Sequence, residues 1–352
     1  MRAVVLVGGF GTRLRPLTSS TPKQMLPVAG RPMVERVLAH LASHDIDDVV
    51  LSLGYRPDAF IDAYPGARCA GVRLHYAVEP EPLDTAGAIG FAAREAGVAE
   101  RFLVVNGDIL TDIDLSALVA FHDTSGAEGT IALTTVDDPS QFGVVPTDGD
   151  GRVLAFVEKP SPGEAPTDLV NAGFYVLEAS VLDRIPAGRR VNIERETFPA
   201  MVEAATLRGR ADPAYWLDVG TPERLLQANV DVVLGLRPTM EVDPSDERGI
   251  DDAAELTDSL VGAGASVARG ATVTRAVLGR GVRIGPGAVV EEAVLMPGAS
   301  VGEGATVQRS VIGPGASVGA RASLTGMCVI GDDTVIEVGR SLVGASVPEP
   351  AP

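Results

Sequence analysis

A glycine-rich segment near the start of the chain carries the first residues whose spacing could do chemistry. The apolar run Ala3–Val7 leads directly into GGFGTRLRPLTSSTPKQMLP. Glycines at the end of a buried strand let successive backbone N–H groups point at an anion such as phosphate. The dinucleotide fingerprint would need glycine where Leu14 stands, and a P-loop would need Gly-Lys-Ser/Thr, whereas Gly11 precedes Thr12 and Arg13. The segment therefore predicts a phosphate site of another type.

The two lysines of the chain are the next candidates. Among 29 basic residues, only Lys23 and Lys159 are lysine, and all others are arginine. An ammonium is a compact point charge, whereas a guanidinium is a planar fork that cannot take its place in a tight site. The composition therefore predicts that both lysines lie where a compact ammonium is needed and a planar guanidinium does not fit.

Two aspartates complete the candidate set. Asp108 follows the apolar run Phe102–Val105 and Asn106-Gly107, which places it at the carboxyl end of a strand, where α/β sheets bind ligands. Asp218 precedes a helix predicted to begin at Thr221. It could bind a metal ion or cap that helix, and the residues alone leave both roles open.

The longer string resembles the signature of the sugar-1-phosphate nucleotidyltransferases, namely G-G-x-G-T-R-L-x-P-L-T followed by T-P-K and L-P. With NAGFYV, FPAM and the repetitive tail, the chain looks most like the mannose-1-phosphate guanylyltransferase branch. It departs at Gln24, where proline or alanine is frequent, and at Asp84, where glycine is common. Further motifs occur in the family's order: Asn106-Gly107-Asp108, Phe156-Val157-Glu158-Lys159-Pro160, Asn171-Ala172-Gly173 and Trp216-Leu217-Asp218-Val219-Gly220-Thr221-Pro222.

The resemblance implies a reaction and a set of site residues. A sugar 1-phosphate oxygen would attack the α-phosphorus of a nucleoside triphosphate and release pyrophosphate, with Arg13, Lys23 and Asp108 as catalytic residues. Asp108 and Asp218 would hold Mg²⁺. The sugar phosphate would contact Gly143, Glu158, Lys159 and Asn171. The nucleotide would contact Gly8, Gly9, Gly11, Thr12, Arg13, Leu83, Thr85, Gly87, Asn106 and Gly107, with the segment 83–87 as a base-reading loop before a helix that begins near Ala88.

The substrates that the resemblance favours are GTP and mannose 1-phosphate. Other substrates stay open: dTTP, UTP or ATP as the nucleotide, or a cyclitol phosphate such as valienol 1-phosphate in place of the sugar. A function of another class is a noncatalytic regulatory paralogue that binds a nucleotide-sugar. Acyl transfer by the tail is disfavoured, because hexapeptide acyltransferases use a histidine base and no histidine follows His122.

The elements that must position these residues alternate between strands and helices up to residue 235. This alternation predicts an α/β domain, Rossmann-like, with a mixed and mostly parallel sheet. The segment 142–160 interrupts it, because Asp-Gly-Asp-Gly between two alternating runs is typical of a β-hairpin. The predicted strands are Ala3–Val7, Asp48–Leu53, Arg73–Val78, Phe102–Val105, Thr130–Val136 and Gly173–Leu177, and the predicted helices include Met33–Ser43 and Ala88–Ala96.

The C-terminal part of the sequence is periodic. An acidic linker is predicted at 236–256, and residues 257–347 repeat aliphatic positions every five or six residues, so that equivalent positions recur every 17. This hexapeptide pattern predicts a left-handed parallel β-helix. The positions expected to point inward are 261, 267, 273, 278, 284, 290, 295, 301, 307, 312, 318, 324, 330, 336 and 342.

Composition limits the partners. The net charge is −18, which argues against binding to nucleic acid. No apolar run reaches the ~18 residues of a membrane span, so no membrane association is expected. The two cysteines, Cys69 and Cys328, form no disulfide framework, which favours a cytoplasmic location. Because a β-helix leaves strand edges and apolar rungs open at its ends, we expect a homo-oligomer formed through this tail.

Overall fold

The computed structural model describes residues 1–237 and 240–349, which form two compact units. The first contains Met1–Gly9 and Val37–Trp216. The second contains Phe10–Arg36 together with the described residues from Leu217 onward. From Phe10 onward, the glycine-rich segment therefore belongs to the same unit as the C-terminal repeats, although it is close in sequence to the first strand.

The first unit is built on a mixed sheet with a parallel centre. The strands Phe102–Asn106, Arg2–Leu6, Asp48–Leu53 and Val72–Val78 lie side by side in this order and run parallel. Leu169–Leu177 lies antiparallel beside Phe102–Asn106. The central strands are apolar along their whole length because both faces of a parallel sheet are covered, and Ala3, Val4 and Val5 are fully buried. The predicted mixed, mostly parallel α/β fold is confirmed.

Shorter elements complete this part of the chain. Gly143–Val144 pairs antiparallel with Val157–Glu158, which confirms the predicted hairpin. The carboxylate of Asp148 accepts hydrogen bonds from two backbone N–H groups in the turn. The α-helices of the chain are Met33–Ala42, Asp58–Ala63, Asp84–Glu95, Leu115–Ser125, Phe198–Glu203 and Pro222–Val233. The remaining strands before the repeats are Pro27–Val28, Arg31–Pro32, Arg68–Cys69, Ile109–Thr111, Gly129–Thr135, Leu207–Ala211 and Trp216–Asp218.

The repeats form a coil with three faces of parallel strands. Residues 17 apart pair from one turn to the next, as Ser266 does with Arg283 and Arg283 with Ser300. The interval becomes 18 in the last turns, where Ser317 pairs with Val335. The first face contains the strands Glu255–Thr257, Thr272–Thr274, Val289–Leu295, Thr306–Ile312, Ser323–Thr325 and Ser341–Val343. The second face contains Leu260–Val261, Val277–Leu278, Val329–Ile330 and Ser346–Val347. The third face contains Ser266–Val267, Arg283–Ile284, Ser300–Val301, Ser317–Val318 and Val335–Ile336.

The aliphatic repeat builds the core of this coil. Every predicted inward position except Leu342 is less than 5% exposed, and Leu342 is half-buried against the same core. Small residues, mostly alanine, fill the corners, and Cys328 occupies one of these positions fully buried. The three-sided parallel coil is consistent with the predicted left-handed β-helix.

The acidic segment after the last long helix takes part in the second unit. The N–H of Asp246 donates to the carbonyl of Val261, and Ile250 forms a bridge with Val267. Pairing with the coil therefore begins before residue 257, because acidic residues can occupy the turns of a coil while their backbone completes its first rung. In the described residues, no helix has the length and apolarity that crossing a membrane requires.

Candidate active site

The carboxyl ends of the parallel strands carry the first group of candidate residues. Gly8 follows the strand Arg2–Leu6, and a β-carbon there would lie 3.1 Å from the backbone nitrogen of Gly54 and 3.3 Å from Oε1 of Glu79. Glycine therefore allows two strand ends to meet. The Glu79 carboxylate accepts hydrogen bonds from Leu83 N (3.1 Å) and Ser52 Oγ (3.3 Å), while burial raises its pKa. Sequence reasoning missed this residue, which anchors the segment predicted to read the base.

The helix that follows begins at Asp84, so the predicted start near Ala88 is wrong by one turn. Asp84 has a φ of 61°, a left-handed conformation that glycine adopts without strain. Its Oδ1 accepts hydrogen bonds from Thr85 N (2.8 Å) and Asn192 Nδ2 (3.0 Å). The conformation explains why glycine is common at this position in the family, and the two hydrogen bonds explain how aspartate is accommodated.

The other residues of this turn are fixed by the segment 189–193. Thr85 Oγ1 accepts from Ile193 N (2.9 Å), and the carbonyl of buried Leu83 accepts from Val191 N (3.0 Å). A β-carbon on Gly87 would lie 2.7 Å from the carbonyl oxygen of Arg189. Leu83, Thr85 and Gly87 thus shape the turn, and their contact with a nucleotide stays a prediction.

The motifs at 106–108 and 171–173 meet in the first unit. The N–H of Gly107 donates to Leu6 O (3.0 Å), and a β-carbon on Gly107 would lie 2.7 Å from Val7. Gly173 sits in a strand irregularity with a φ of 77°, and a β-carbon there would lie 2.8 Å from Asn106 Nδ2. Both glycines permit close backbone approach. Asp108 lies in the turn that follows, partly exposed.

The hairpin supplies the predicted sugar-phosphate residues. Gly143 pairs with Glu158, and a β-carbon on Gly143 would lie 2.6 Å from the Phe156 ring and 3.2 Å from Glu158 Oε2. The strand ends at Glu158, and Lys159 has a φ of 48°. This break at Lys159 lets its ammonium lie 3.5 Å from the Glu158 carboxylate, although adjacent strand residues would point to opposite faces.

Asn171 has an internal role. Its Nδ2 donates to the Tyr175 hydroxyl (2.9 Å) and to Glu194 Oε1 (3.0 Å), and its Oδ1 accepts from Gly173 N (2.9 Å). Both amide donors of this buried side chain are therefore engaged within the protein. Asn171 orients Glu194 and the Gly173 bulge, and its direct contact with a sugar stays a prediction.

Glu194 is a second carboxylate that sequence reasoning missed. It lies on the π-helical turn Ile193–Thr197, whose N–H groups at Glu194 and Arg195 donate to the Asn192 side chain. Such turns occur frequently at functional sites. Burial, together with the charge of Glu158, raises the pKa of Glu194 to about 7. The sequence feature that could have identified Glu194 is the charged run ERET, which directly precedes the apolar segment FPAM.

Replacing Glu194 by glutamine is expected to stabilise the protein increasingly as pH rises. The pKa is raised from 4.5 to about 7, so the contribution of this group to stability is complete below about pH 4.5 and is lost as pH passes 7. Glutamine keeps an acceptor for Asn171 and cannot ionise. Each pKa unit corresponds to about 1.4 kcal/mol, so the Tm advantage of Glu194→Gln should grow by several degrees between pH 5 and pH 8. Exposed Glu203→Gln serves as the control, and a pH-independent difference would contradict the expectation.

The second unit carries the glycine-rich segment itself. Gly11 has a φ of 61° and precedes the short 3₁₀ turn Thr12–Leu14. Its carbonyl accepts from Thr18 Oγ1 (2.7 Å), and a β-carbon on Gly11 would lie 3.0 Å from Cβ of Lys23. The segment therefore folds back on itself and brings Lys23 beside the glycine turn. Gly9 and Thr12 are exposed.

Gly220 lies between Arg13, which is predicted to be catalytic, and Asp218, which is predicted to bind metal. A β-carbon on this buried glycine would lie 2.5 Å from Nη2 of Arg13 and 2.9 Å from Oδ1 of Asp218. The helix Pro222–Val233 is capped by Thr221, whose Oγ1 accepts from Arg224 N (3.4 Å). Thr221, and not Asp218, therefore occupies the N-cap position of this helix. The structure brings Arg13 and Asp218 together from positions some 200 residues apart in sequence.

Comparison with known proteins gives the family. The chain matches the nucleotidyl transferase family over residues 2–233 and the GMPPB C-terminal domain over residues 255–350. It is 42% identical over 275 residues to the mannose-1-phosphate guanylyltransferase of Mycobacterium tuberculosis, covering 77% of this chain and 76% of that protein. The corresponding enzyme of Gibberella zeae is 41% identical over 232 residues, covering 64% and 62%.

A solved structure has the same fold over the first part of the chain. HddC from Yersinia pseudotuberculosis, complexed with GMP-PN, superposes with a TM-score of 0.56 at 28% identity, covering 66% of this chain and 99% of HddC. The resemblance inferred from the motifs is confirmed by these matches. The chain belongs to the nucleotidyl transferase family and carries a C-terminal domain of the GMPPB type.

Proposed function

We propose that this enzyme condenses GTP with mannose 1-phosphate to give GDP-mannose and pyrophosphate. The observation that carries the proposal is the convergence of Arg13 and Asp218 on Gly220 within a chain that carries the family's motifs in their order. The names of the two relatives support mannose 1-phosphate and a guanine nucleotide as substrates. The guanine analogue in the HddC complex supports the same base.

Electrostatics and positioning would carry the catalysis. The attacking phosphate oxygen is ionised near neutral pH, so the reaction needs no general base, and its barrier comes from bringing two anions together. Arg13 can hold the β- and γ-phosphates as a fork and stabilise the departing pyrophosphate. Lys23 can neutralise the α-phosphate and the incoming sugar phosphate. Asp218, beside the Arg13 guanidinium, would keep that fork oriented.

The donor set fits Mg²⁺. The described residues hold no cluster of three or more His, Cys, Asp or Glu side chains suited to a metal ion. Mg²⁺ commonly binds through one or two carboxylates, with substrate phosphates and water supplying the other oxygens. Asp108 and Asp218 would hold the ion, which when bound would neutralise charge on the α-phosphate.

Sugar recognition would fall to the hairpin side of the first unit. The Glu158 carboxylate can accept hydrogen bonds from sugar hydroxyls, and Lys159, whose side chain is 62% exposed, can contact the sugar phosphate. Asn171 would act by orienting Glu194. Gly143 keeps the space beside Glu158 free of a side chain.

One matrix experiment tests the proposed reaction. Five nucleoside triphosphates are mixed singly with mannose, glucose and cyclitol phosphates, and pyrophosphate release is recorded with Mg²⁺ present and after chelation. The proposal expects the highest kcat/KM for GTP with mannose 1-phosphate and no release with the chelator. Preference for dTTP, UTP, ATP or a cyclitol phosphate would replace the substrates. Nucleotide-sugar binding without pyrophosphate release would favour the regulatory paralogue.

The tail supports a homo-oligomer. Val335, Val338 and Val343 of the last turns are 72%, 62% and 74% exposed, an apolar set beside open strand edges. A second copy of the chain is the simplest cover for such a surface. The two cysteines are free thiols, which supports a reducing, cytoplasmic location.

Charge introduced into this apolar set is expected to reduce self-association. The double variant Val338→Glu/Val343→Glu should shift the mass of the full chain from an oligomer to a smaller species in multi-angle light scattering. Arg309→Glu, a charge change elsewhere on the coil, should leave the mass unchanged. A full chain that is already monomeric at micromolar concentration, or a double variant of unchanged mass, would rule out this interface.

A further inference from the structure

The last turns of the coil touch the glycine-rich segment between Arg13 and Lys23. Gly331 is buried, and a β-carbon there would lie 3.1 Å from Cβ of Pro16 and 3.1 Å from Cδ of Pro348. The hydroxyl of Ser20 donates a hydrogen bond to the Asp332 carboxylate. Pro16 and Ser20 both lie within the nine residues that connect Arg13 to Lys23.

Residues from later in the sequence also hold residues 28–36, which follow the glycine-rich segment. Oδ1 of Asn229 accepts from Ala29 N (2.8 Å). Arg31 forms an ion pair with Asp243. The Arg36 guanidinium donates to the carbonyls of Val28 (3.0 Å) and Ala29 (2.8 Å), and also to the carbonyl of Glu241. The acidic segment thus fixes residues 28–36, while the coil fixes residues 16–20.

These contacts can hold Arg13 and Lys23 in precise positions. Both side chains lie within residues 10–32, whose regular elements are short 3₁₀ turns and two-residue strands. A displacement of about 1 Å can lower the rate of an enzyme about 10²-fold, because electrostatic stabilisation depends on fixed geometry. The coil is rigid, since its core is closely packed and each rung is hydrogen-bonded to its neighbours.

We propose that Gly331 and Asp332 of the coil are positioning residues for the phosphate-binding segment, so that the tail acts in the reaction of its own chain besides any role in assembly. This inference rests on the proposed function, because Arg13 and Lys23 act on phosphates in it. The coil would then take part in the reaction, although all the family motifs precede residue 223.

The contact between Ser20 and Asp332 is tested in the full chain by a double-mutant cycle. Ser20→Ala and Asp332→Ala should each lower kcat/KM for the triphosphate by about 3- to 10-fold, and the double variant should lose no more than either single one. Asp332→Asn keeps an acceptor and should retain wild-type kinetics. Asp333→Asn, at the exposed neighbouring position, is the matched control.

Gly331→Ala tests the packing contact independently. Its β-methyl would press on Pro16, and we expect a fall in kcat of about 10-fold or more with unchanged oligomeric mass. Gly285→Ala, whose β-carbon would meet the coil backbone at Glu303, perturbs the coil far from the segment. It should lower Tm and leave kcat of the folded protein unchanged.

The outcomes separate this inference from the proposed function. Wild-type protein without pyrophosphate release would refute the function; GTP affinity, measured by calorimetry on the same variants, would still test the positioning role. Ser20→Ala, Asp332→Ala and Gly331→Ala variants that all stay within twofold of wild type, or an additive cycle, would overturn the inference. Equal losses in Gly285→Ala and Gly331→Ala would also overturn it.

Discussion

Asp108→Asn is expected to lower kcat by about 10²–10³-fold while the protein stays folded. Asparagine keeps the shape of the side chain but lacks the negative charge that would hold Mg²⁺, so charge on the α-phosphate would be less well neutralised. Asp108 lies partly exposed in a turn, so its substitution leaves the core intact. Steady-state kinetics over a range of Mg²⁺ concentrations, with circular dichroism for the fold, measure the effect.

Asp218→Asn should behave in the same way, because the two carboxylates are proposed to share the ion. Asp137→Asn, at an exposed aspartate in the same unit as Asp108, should keep wild-type kinetics. A loss that rising Mg²⁺ concentration partly restores would support metal binding. Near-normal turnover of Asp218→Asn at limiting Mg²⁺ would remove that residue from the site.

Gly220→Ala is expected to lower kcat by about 10²-fold through a single added methyl group. Its β-carbon would lie 2.5 Å from Nη2 of Arg13 and 2.9 Å from Oδ1 of Asp218, so both groups must move. Misplacement of this size is sufficient for such a loss. The expected signature is a fall in kcat with a small change in Tm, because the displaced Arg13 side chain is exposed and can reorient.

A matched glycine separates this effect from a general effect of the substitution. Gly149 lies in a hairpin turn with open space around its α-carbon, so Gly149→Ala should leave kcat unchanged. Arg13→Lys should lose activity to a similar extent as Gly220→Ala, since both variants remove the guanidinium from its place. Wild-type kcat in Gly220→Ala would show that the arrangement of Arg13 and Asp218 does not matter for turnover.

Much of the fold could be predicted from local patterns. The strand Asp48–Leu53 has the predicted bounds, and the neighbouring strands differ by one or two residues. The hairpin at 142–160 followed from its turn residues, and the coil from the spacing of its aliphatic side chains. These patterns are readable because a periodic alternation of apolar residues records which face of a nearby element is buried.

The turn at Asp84 shows where local patterns stop. The residues next to Asp84 give no sign of a left-handed conformation, so the sequence pattern predicts a helix start one turn too late. The conformation is held by Asn192, more than 100 residues away in sequence. A hydrogen bond to a distant partner selects the backbone conformation here, and such partners are invisible in a window of neighbouring residues.

Local sequence patterns were sufficient to identify the family and the order of its motifs, and they predict most polar residues of the candidate site. Only the tertiary structure placed Arg13 beside Asp218, Glu194 against Asn171, and Pro16 and Ser20 against the coil. The reason is how far apart in the sequence the interacting residues lie. Periodicity reflects burial within one element, whereas a site is made by chain segments that folding brings together from distant parts of the sequence.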